Sequence, residues 1–219
     1  MIILGIILII LVYILYRYIT ADKELLQKYL YLGDGNLQPI DNLDKPDSTR
    51  YGYGFWIYVN TWDATTTKEI FSVKNETNGT MNIRAILDKD TASMVVEIAN
   101  TSGSQNIQVT DNFPLQKWVH VVISVDNNYV DNYIDGKLVR SSKVDNVAKP
   151  EINNKIHIGG SGFDAYMSKF KRFAYPINPQ KAYDEYMDGN GQTNLGIPMY
   201  GIDLTILKDN EIYKQVNVL

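Results

Sequence analysis

The stretch KWVHVVISVDNNYVDNYIDGKLVRS, residues 117–141, decides the fold class of this 219-residue chain. It contains runs rich in valine, isoleucine and tyrosine, and the turn residues Asp126-Asn127-Asn128 and Asp135-Gly136 separate these runs. β-Branched and aromatic runs of this length between such turn residues are typical of strands. The segment therefore predicts consecutive β-strands joined by short turns.

The same pattern continues on both sides of this stretch. The candidate strands are residues 53–60, 68–75, 81–88, 93–100, 106–111, 118–126, 129–136, 137–144, 155–160 and 167–175. One helix candidate follows at 179–189, with Gly189 as its stop. Many short strands without intervening helices predict an all-β fold, an antiparallel β-sandwich.

Three motifs in this order resemble the laminin-G-like, concanavalin A-like jelly-roll domains. The central motif has a Trp that opens a strand and a hairpin that ends in a Tyr-x-Asp-Gly-Lys turn. An early aromatic strand (54–62) and a closing Ile-Gly-Gly with a final strand and short helix (155–186) also match, so the resemblance covers residues 51–188. It implies a structural role for the signature residues Trp56, Trp118, Tyr133, Asp135, Gly136, Gly159, Gly160 and Phe170.

The N-terminus carries an apolar run. No charged or strongly polar side chain occurs from Ile2 to Tyr16, and the apolar character continues around Arg17 to Ile19. At about 1.5 Å per residue a helix over this run is roughly 27 Å long, close to the hydrocarbon core of about 30 Å. The run predicts a transmembrane helix over residues 1–20, because it lacks the basic flank and cleavage site of a signal peptide. The anchor residues are Ile2, Ile10, Tyr13, Tyr16, Arg17 and Ile19.

Two further segments flank the sandwich. Good helix formers in residues 21–32 predict that the first helix continues to about Leu32, and the Gly-, Pro- and Asp-rich residues 33–50 predict a linker. Residues 189–219 form a C-terminal extension, with two strands predicted around the turn at 208–211. A terminal strand of this kind could pair with the sheet edge of a neighbouring protein.

Composition excludes several classes of function. The net charge of −4 and the absence of a basic block argue against nucleic acid as a partner. No cysteine is present, so disulfides, thiolate nucleophiles and Cys-ligated zinc are excluded. Cysteine-free chains also suit a reducing compartment.

The polar residues do not predict catalysis. Glycan-cleaving relatives place paired carboxylates on one inner strand, and this chain has no such run. Its nearest acidic clusters, Asp88-Lys89-Asp90 and Asp184-Glu185, are interpreted as turn residues and a solvated helix face. His120 and His157 lie in strand patterns, so a structural or surface role is predicted for both. We therefore predict that the protein is not an enzyme and needs no cofactor.

Three binding hypotheses stay open at this point. Calcium is conceivable, as in laminin-G-like domains, with Asp88, Asp90, Asp126 and Asp164 as ligands, although they form no recognisable loop pattern. Phe55, Trp56, Trp62 and Trp118 either form a sugar-stacking platform or fill the core, and core packing is favoured. The basic segment KFKR (169–172) either meets acidic lipids or an acidic partner, or is a solvated strand face.

An N-terminal membrane helix, this sandwich and this tail together resemble minor capsid or membrane proteins of large icosahedral DNA viruses. The resemblance implies a non-enzymatic structural protein of the virion that links an internal membrane to capsid subunits. The alternative is a membrane-anchored, lectin-like adhesion or receptor module that binds glycan.

The two hypotheses differ in topology, for which the sequence carries conflicting signals. Asn75, Asn78 and Asn100 match the glycosylation pattern, which favours a lumenal or extracellular sandwich. However, no Lys or Arg precedes the apolar run, whereas Arg17, Lys23 and Lys28 follow it. The positive-inside rule therefore predicts a single-pass protein with the sandwich on the cytosolic side.

Overall fold

A computed structural model of the chain describes residues 8–13, 15, 22–34, 40–41, 43–191, 203–208 and 211–217. The strands are β1 (Leu25–Tyr31), β2 (Arg50–Val59), β3 (Lys68–Asn75), β4 (Met81–Leu87), β5 (Met94–Asn100), β6 (Gly103–Thr110), β7 (Trp118–Asp126), β8 (Tyr129–Ile134), β9 (Lys137–Lys143), β10 (Asn154–Ile158), β11 (Ala165–Phe173), β12 (Asp203–Lys208) and β13 (Glu211–Asn217). The helix α1 spans Pro179–Met187.

Two antiparallel sheets form the predicted sandwich. One sheet has the order β1-β11-β2-β7-β8-β9 and the other the order β10-β3-β4-β5-β6. The large buried side chains between them include Phe55, Phe71 and Phe170, whose ring centroids lie 5.4–6.0 Å apart. Because the inner faces of both sheets contribute side chains to one apolar cluster, the two sheets share a single core.

Helix α1 packs on the outer face of the six-stranded sheet. A second apolar cluster joins Ile177 and Ala182 to Val122, Tyr133 and Phe173 of the sheet. Strands β2 and β7 are consequently buried on both faces and lack the clean alternation of a half-exposed strand. The helix begins at Pro179. The side chain of the preceding Asn178 caps its first turn by accepting a hydrogen bond from the Lys181 amide.

The predicted helix over residues 21–32 is wrong, because Leu25–Tyr31 is strand β1 and pairs antiparallel with β11. Leu30 and Leu32 are buried in the core while Tyr29 and Tyr31 are exposed, which is the two-residue period of a strand. The open edge of β11 supplies main-chain partners, and this tertiary pairing outweighs helix propensity.

The predicted linker over residues 33–50 is also wrong in its described parts. Ile40 pairs with Ile156 of β10 through two main-chain hydrogen bonds of 3.0 Å. Arg172 donates to the carbonyl oxygens of Asp44 and Lys45. The segment is therefore fixed to the sandwich instead of lifting it away from the N-terminus.

The predicted membrane anchor falls largely outside the described residues, and this includes Ile2, Tyr16, Arg17 and Ile19. Residues 8–13 are helical, with Ile10 and Tyr13 exposed. Within the described part of the chain, no helix is long and apolar enough to cross a membrane. In the C-terminal extension, β12 and β13 pair antiparallel as a two-stranded sheet.

Candidate functional site: an aromatic platform

Helix α1 covers only part of the outer face of the six-stranded sheet. Tyr186 of the helix stacks on Trp56 at 5.6 Å between ring centroids and lies 6.2 Å from the His120 ring. At the next pair on this face, Tyr58 and Trp118, the two rings lie 5.7 Å apart, and Trp118 also contacts Tyr29 of β1. This end of the outer face is open to solvent.

Four aromatic residues line up across this open end. Tyr31 of β1 is paired with Tyr166 of β11, Tyr166 with Tyr58 of β2, and Tyr58 with Trp118 of β7. Register pairing places all four on one face of four adjacent strands. Tyr29 lies beside the row. We call the surface formed by Tyr29, Tyr31, Tyr58, Trp118 and Tyr166 the aromatic platform.

The rings of the platform hold one another in place. Tyr29 stacks on Tyr166 with centroids 5.9 Å apart and planes at 20°, and it also lies 6.4 Å from Trp118. The Tyr31 and Tyr166 centroids are 5.2 Å apart, and those of Tyr58 and Trp118 are 5.7 Å apart. Tyr29 is 51% exposed and Tyr31 36% exposed, whereas the other three rings are half-buried. The platform is therefore preorganised and accessible from one side.

The absence of a side chain at Gly33 makes room for the Tyr31 ring. A Cβ atom on Gly33 would lie 2.7–2.9 Å from atoms Cε1, Cζ and OH of Tyr31. Glycine at this position leaves the space that the ring occupies against its own strand.

A polar cluster borders the Tyr31 end of the row. Asp164 accepts hydrogen bonds from Thr61 Oγ1 at 2.7 Å, from Asn60 Nδ2 at 2.9 Å and from the Tyr31 hydroxyl at 3.4 Å. These donors, with Thr61 the strongest, hold the pKa of Asp164 below its usual range. Desolvation, followed by the nearby Asp164 charge, raises the pKa of Tyr31. At neutral pH the site thus offers an ionised carboxylate beside neutral phenols.

The four aromatic residues singled out from sequence separate in the structure. Phe55 is fully buried between the sheets, Trp62 packs against the core, and Trp56 lies under helix α1. Only Trp118 belongs to the platform. Sequence reasoning missed the four tyrosines, and the alternation of tyrosine and leucine in residues 29–32 was the signal that could have found two of them.

The remaining signature residues occupy structural positions. Tyr133 lies in the cluster under helix α1, and Phe170 is buried in the main core. Asp135 accepts from the His120 amide at 2.9 Å, and Gly136 follows it with a φ of 73°. The other two glycines contact Leu32, the residue after strand β1: Gly159 approaches its backbone, and the Gly160 amide donates to its carbonyl at 3.0 Å.

Two interpretations of charged residues were wrong. The basic segment 169–172 is not a solvated strand face, because Lys171 and Arg172 are buried. Glu185 is likewise buried and is not part of a solvated helix face. Its Oε2 lies 2.8 Å from Lys171 Nζ, and an ion pair inside the packed layer explains why both charges leave the solvent.

The histidines and the proposed calcium ligands are not brought together. His120 is buried between Trp56 and Tyr186, and His157 is half-buried near Glu76. Asp126 is paired with Arg50 at 2.9 Å. Across the described part of the chain, no group of three or more His, Cys, Asp or Glu side chains is placed to hold a metal ion.

The jelly-roll order of the strands agrees with a family match. Residues 32–181 match a laminin G family model described as the concanavalin A-like lectin/glucanases superfamily. The chain belongs to this superfamily. Within the superfamily match lie the platform residues Tyr58, Trp118 and Tyr166, whereas Tyr29 and Tyr31 precede it.

Individual similar proteins are more distant. Two proteins of Arabidopsis thaliana, SH2 domain-containing proteins A and B, are 29% and 26% identical over 160 and 156 residues, and each alignment covers 64% of this chain. The chain spans about a quarter of the length of these relatives (24% and 23%).

Solved structures of botulinum neurotoxin binding domains share the fold. The serotype D domain superposes with a TM-score of 0.59 at 13% identity, covering 73% of this chain and 42% of that one. The serotype G domain gives 0.54 at 17% identity, covering 74% and 45%. Identities this low show the fold alone.

Proposed function

We propose that the protein is a non-catalytic, lectin-like binding module that recognises glycan on its aromatic platform and is held at a membrane by its N-terminal segment. The observation that carries this proposal is the in-register row of Tyr31, Tyr166, Tyr58 and Trp118 on the uncovered end of the sheet. The superfamily name includes lectins, and the similar neurotoxin structures are named as binding domains.

The chemistry of the platform suits a sugar. Its rings offer flat apolar faces, while Asp164, Asn60 and Thr61 offer hydrogen-bonding groups at the same level. A sugar ring carries apolar C–H faces and a rim of hydroxyls, so it satisfies both features at once. Ligand sites that combine aromatic walls with a few placed polar groups follow the same principle.

A membrane is a less suitable occupant of the platform. The chain meets the sandwich at Asp22, and Tyr31 lies at the opposite end of β1. Six residues of strand correspond to about 20 Å. The Tyr31 end of the platform therefore lies about 20 Å along β1 from the end of the strand next to Asp22.

A glycan ligand requires the sandwich on the side of the membrane where glycans are displayed, which opposes the charge-bias prediction. Of the glycosylation patterns, the one at Asn75 is unsuited to modification, since its side chain is buried, donates to Glu151 and accepts from the Thr77 amide. Asn78 is exposed and Asn100 half-buried. Protease protection of the intact protein in microsomes measures the topology: a protected sandwich supports the glycan proposal.

The direct test is glycan binding by the purified full-length chain in detergent, screened on an array of immobilised glycans. We expect binding that Tyr29→Ala and Trp118→Ala each weaken about tenfold, in line with aromatic hot spots. Tyr129→Ala is the matched control, because Tyr129 is 57% exposed but lies at the opposite end of the sheet. If none of the glycans on the array binds, the proposal is wrong.

A second candidate is a structural protein that links a membrane to a protein shell, such as the capsid of a large DNA virus. The pairing of β12 and β13 as a separate two-stranded sheet favours it, because an isolated hairpin is only marginally stable and gains by joining another sheet. This function needs the sandwich on the cytosolic side. Digestion of the sandwich in intact microsomes, together with loss of assembly when residues 203–219 are deleted, would support it.

A further inference from the structure

We propose that a cavity beside the start of helix α1 binds a primary ammonium group on an alkyl stem, the chemistry shared by a lysine side chain and a free alkylamine. The cavity has a volume of about 340 Å³ and lies on the outer face of the six-stranded sheet, at the opposite end from the aromatic platform. No platform residue lines it, so the inference does not depend on glycan binding.

The register of β7 and β8 places three oxygen-bearing side chains in the wall of the cavity. Ser124 of β7 lies directly opposite Asp131 of β8, and Tyr133 follows two residues after Asp131. Opposite residues share a face with Cβ atoms about 5 Å apart, and residues two apart on one strand share a face at about 7 Å. All three side chains line the cavity, so one small group bound there can meet several oxygen atoms.

Two of these side chains are built into the packed layer under the helix. Tyr133 is only 1% exposed and Ser124 only 3%. The Tyr133 hydroxyl makes no hydrogen bond to any residue that the structure describes. Ser124 Oγ accepts from the Ile177 amide at 2.8 Å and keeps a second lone pair. Because hydroxyls on buried side chains normally have partners, the Tyr133 oxygen on the cavity wall points to a ligand.

Asp131 gives the cavity its charge. It is half-buried and forms no ion pair within the described part of the chain. The two other charged residues of the lining neutralise each other, since Arg50 Nε lies 2.9 Å from Asp126 Oδ1. Desolvation, followed by the nearby Asp131 charge, raises the pKa of Tyr133, so the phenol is neutral at physiological pH. The cavity therefore offers one free carboxylate beside neutral hydroxyls, which favours a cation.

The start of helix α1 does not turn the cavity into an anion site. Pro179 has no amide hydrogen, and the Lys181 amide already donates to the Asn178 side chain. Few of the donors that a helix N-terminus usually offers to a phosphate or carboxylate are therefore available. The unpaired Asp131 would also repel such a group.

The remaining wall is apolar and suits an alkyl stem. It is formed by Leu138, which is paired with Tyr133 and is 50% exposed, and by Pro176, Ile177 and Pro179. Long cationic side chains pack their methylene groups on such surfaces while the charged end reaches polar groups. A primary ammonium carries three donors and no acceptor, which matches a carboxylate and two hydroxyl oxygens.

The test titrates small probes into the full-length protein in detergent, with the methyl signals of Leu138 and Ile177 observed by NMR after ¹³C labelling. The probes are lysine blocked at both ends, norleucine blocked in the same way, and n-butylamine. Norleucine has the same carbon stem without the ammonium. We expect blocked lysine to shift both signals and to bind at least about tenfold more tightly than blocked norleucine. Tighter binding of blocked lysine than of butylamine assigns the site to a protein side chain, and the reverse order assigns it to a free amine.

Variants identify the groups that bind. Asp131→Asn should weaken lysine binding about tenfold and Tyr133→Phe, which keeps the buried ring, about fivefold. Asp145→Asn is the matched control, because Asp145 is an exposed carboxylate that does not line the cavity, and it should leave the affinity unchanged. The methyl spectra of the free variants show whether each is folded.

Three results would overturn the inference: equal affinity for lysine and norleucine, unchanged lysine affinity in folded Asp131→Asn, or methyl shifts with acetate but not with the amines. The comparison of lysine with norleucine uses the unaltered protein, so it decides the question even if a variant fails to fold.

Discussion

Lys171 Nζ lies 2.7 Å from Asp22 Oδ2 and thereby ties the first residue of the described segment 22–34 to strand β11. The same ammonium lies 2.8 Å from Glu185 of helix α1, and Glu185 in turn pairs with Lys181. The ion network joins strand β11, the helix and the point where the chain reaches the sandwich. Asp22 is therefore held directly against the sandwich.

Removing this ammonium should destabilise the fold. Only 8% of the Lys171 side chain is exposed, so Lys171→Met leaves the carboxylates of Asp22 and Glu185 without their shared partner. We expect a loss of about 3 kcal/mol in the free energy of unfolding, because breaking a buried ion pair from one side leaves an uncompensated charge. Urea unfolding of the full-length protein in detergent, followed by circular dichroism, measures the loss.

Lys143→Met is the control for this substitution. Lys143 and its partner Asp145 are both exposed, at 64% and 81%, so the pair contributes little. Its removal should change the unfolding free energy by less than about 0.5 kcal/mol. Equal effects of the two substitutions on the unfolding free energy would show that the Lys171 ion network does not stabilise the fold.

Stability should fall as the pH decreases from about 6.5 to about 4. Burial between Trp56 and Tyr186 lowers the pKa of His120 to about 4, from an unfolded value near 6.5. In this window the unfolded chain binds a proton that the folded chain rejects, so acid favours unfolding. The loss at the lower limit is on the order of 3 kcal/mol, and desolvation gives the half-buried His157 a shift of the same sign.

His120→Phe removes this titration while retaining an aromatic ring between Trp56 and Tyr186. The unfolding free energy of the variant, measured at pH 7 and at pH 5, should differ less than that of the unaltered protein. An unchanged difference would assign the acid sensitivity to other groups.

Gly159 should tolerate no side chain. Its φ is 75°, and a Cβ atom would lie 2.3 Å from the Leu32 carbonyl oxygen, which is backbone and cannot swing aside. Gly159→Ala should therefore cost at least about 3 kcal/mol, combining left-handed strain with steric overlap. Gly162→Ala is the matched control: its φ is 81°, but nothing lies within 4 Å of the added atom, so it should cost only about 1 kcal/mol. Thermal unfolding of both variants checks the difference. Similar costs for the two variants would mean that the Leu32 backbone does not lie against Gly159.

Chelation should leave the protein folded. Asp126 is committed to Arg50, and Asp164 to Asn60 and Thr61, so neither is part of an open set of metal ligands. We expect the midpoint of thermal unfolding to be the same with and without EDTA and with added calcium. A rise of several degrees with calcium would reveal a ligand set formed by other residues.

Apart from strand β1, the sequence by itself determined the strands of the sandwich and helix α1. The runs at 68–75 and 118–126 coincide with β3 and β7, because β-branched residues and flanking turn residues act locally. The three ordered motifs likewise predicted the family. Local patterns of this kind do not depend on which strand lies next to which.

Only the tertiary structure decided the secondary structure of residues 21–32 and the location of the platform. Leu25–Tyr31 has the composition of a helix, and it becomes a strand because the edge of β11 offers hydrogen-bonding partners that the isolated segment lacks. The platform depends on register: Tyr31, Tyr58 and Tyr166 are far apart in sequence and meet only when β1, β11 and β2 pair. Whether a tyrosine is covered or exposed depends in turn on where helix α1 ends on the sheet, which no local pattern encodes.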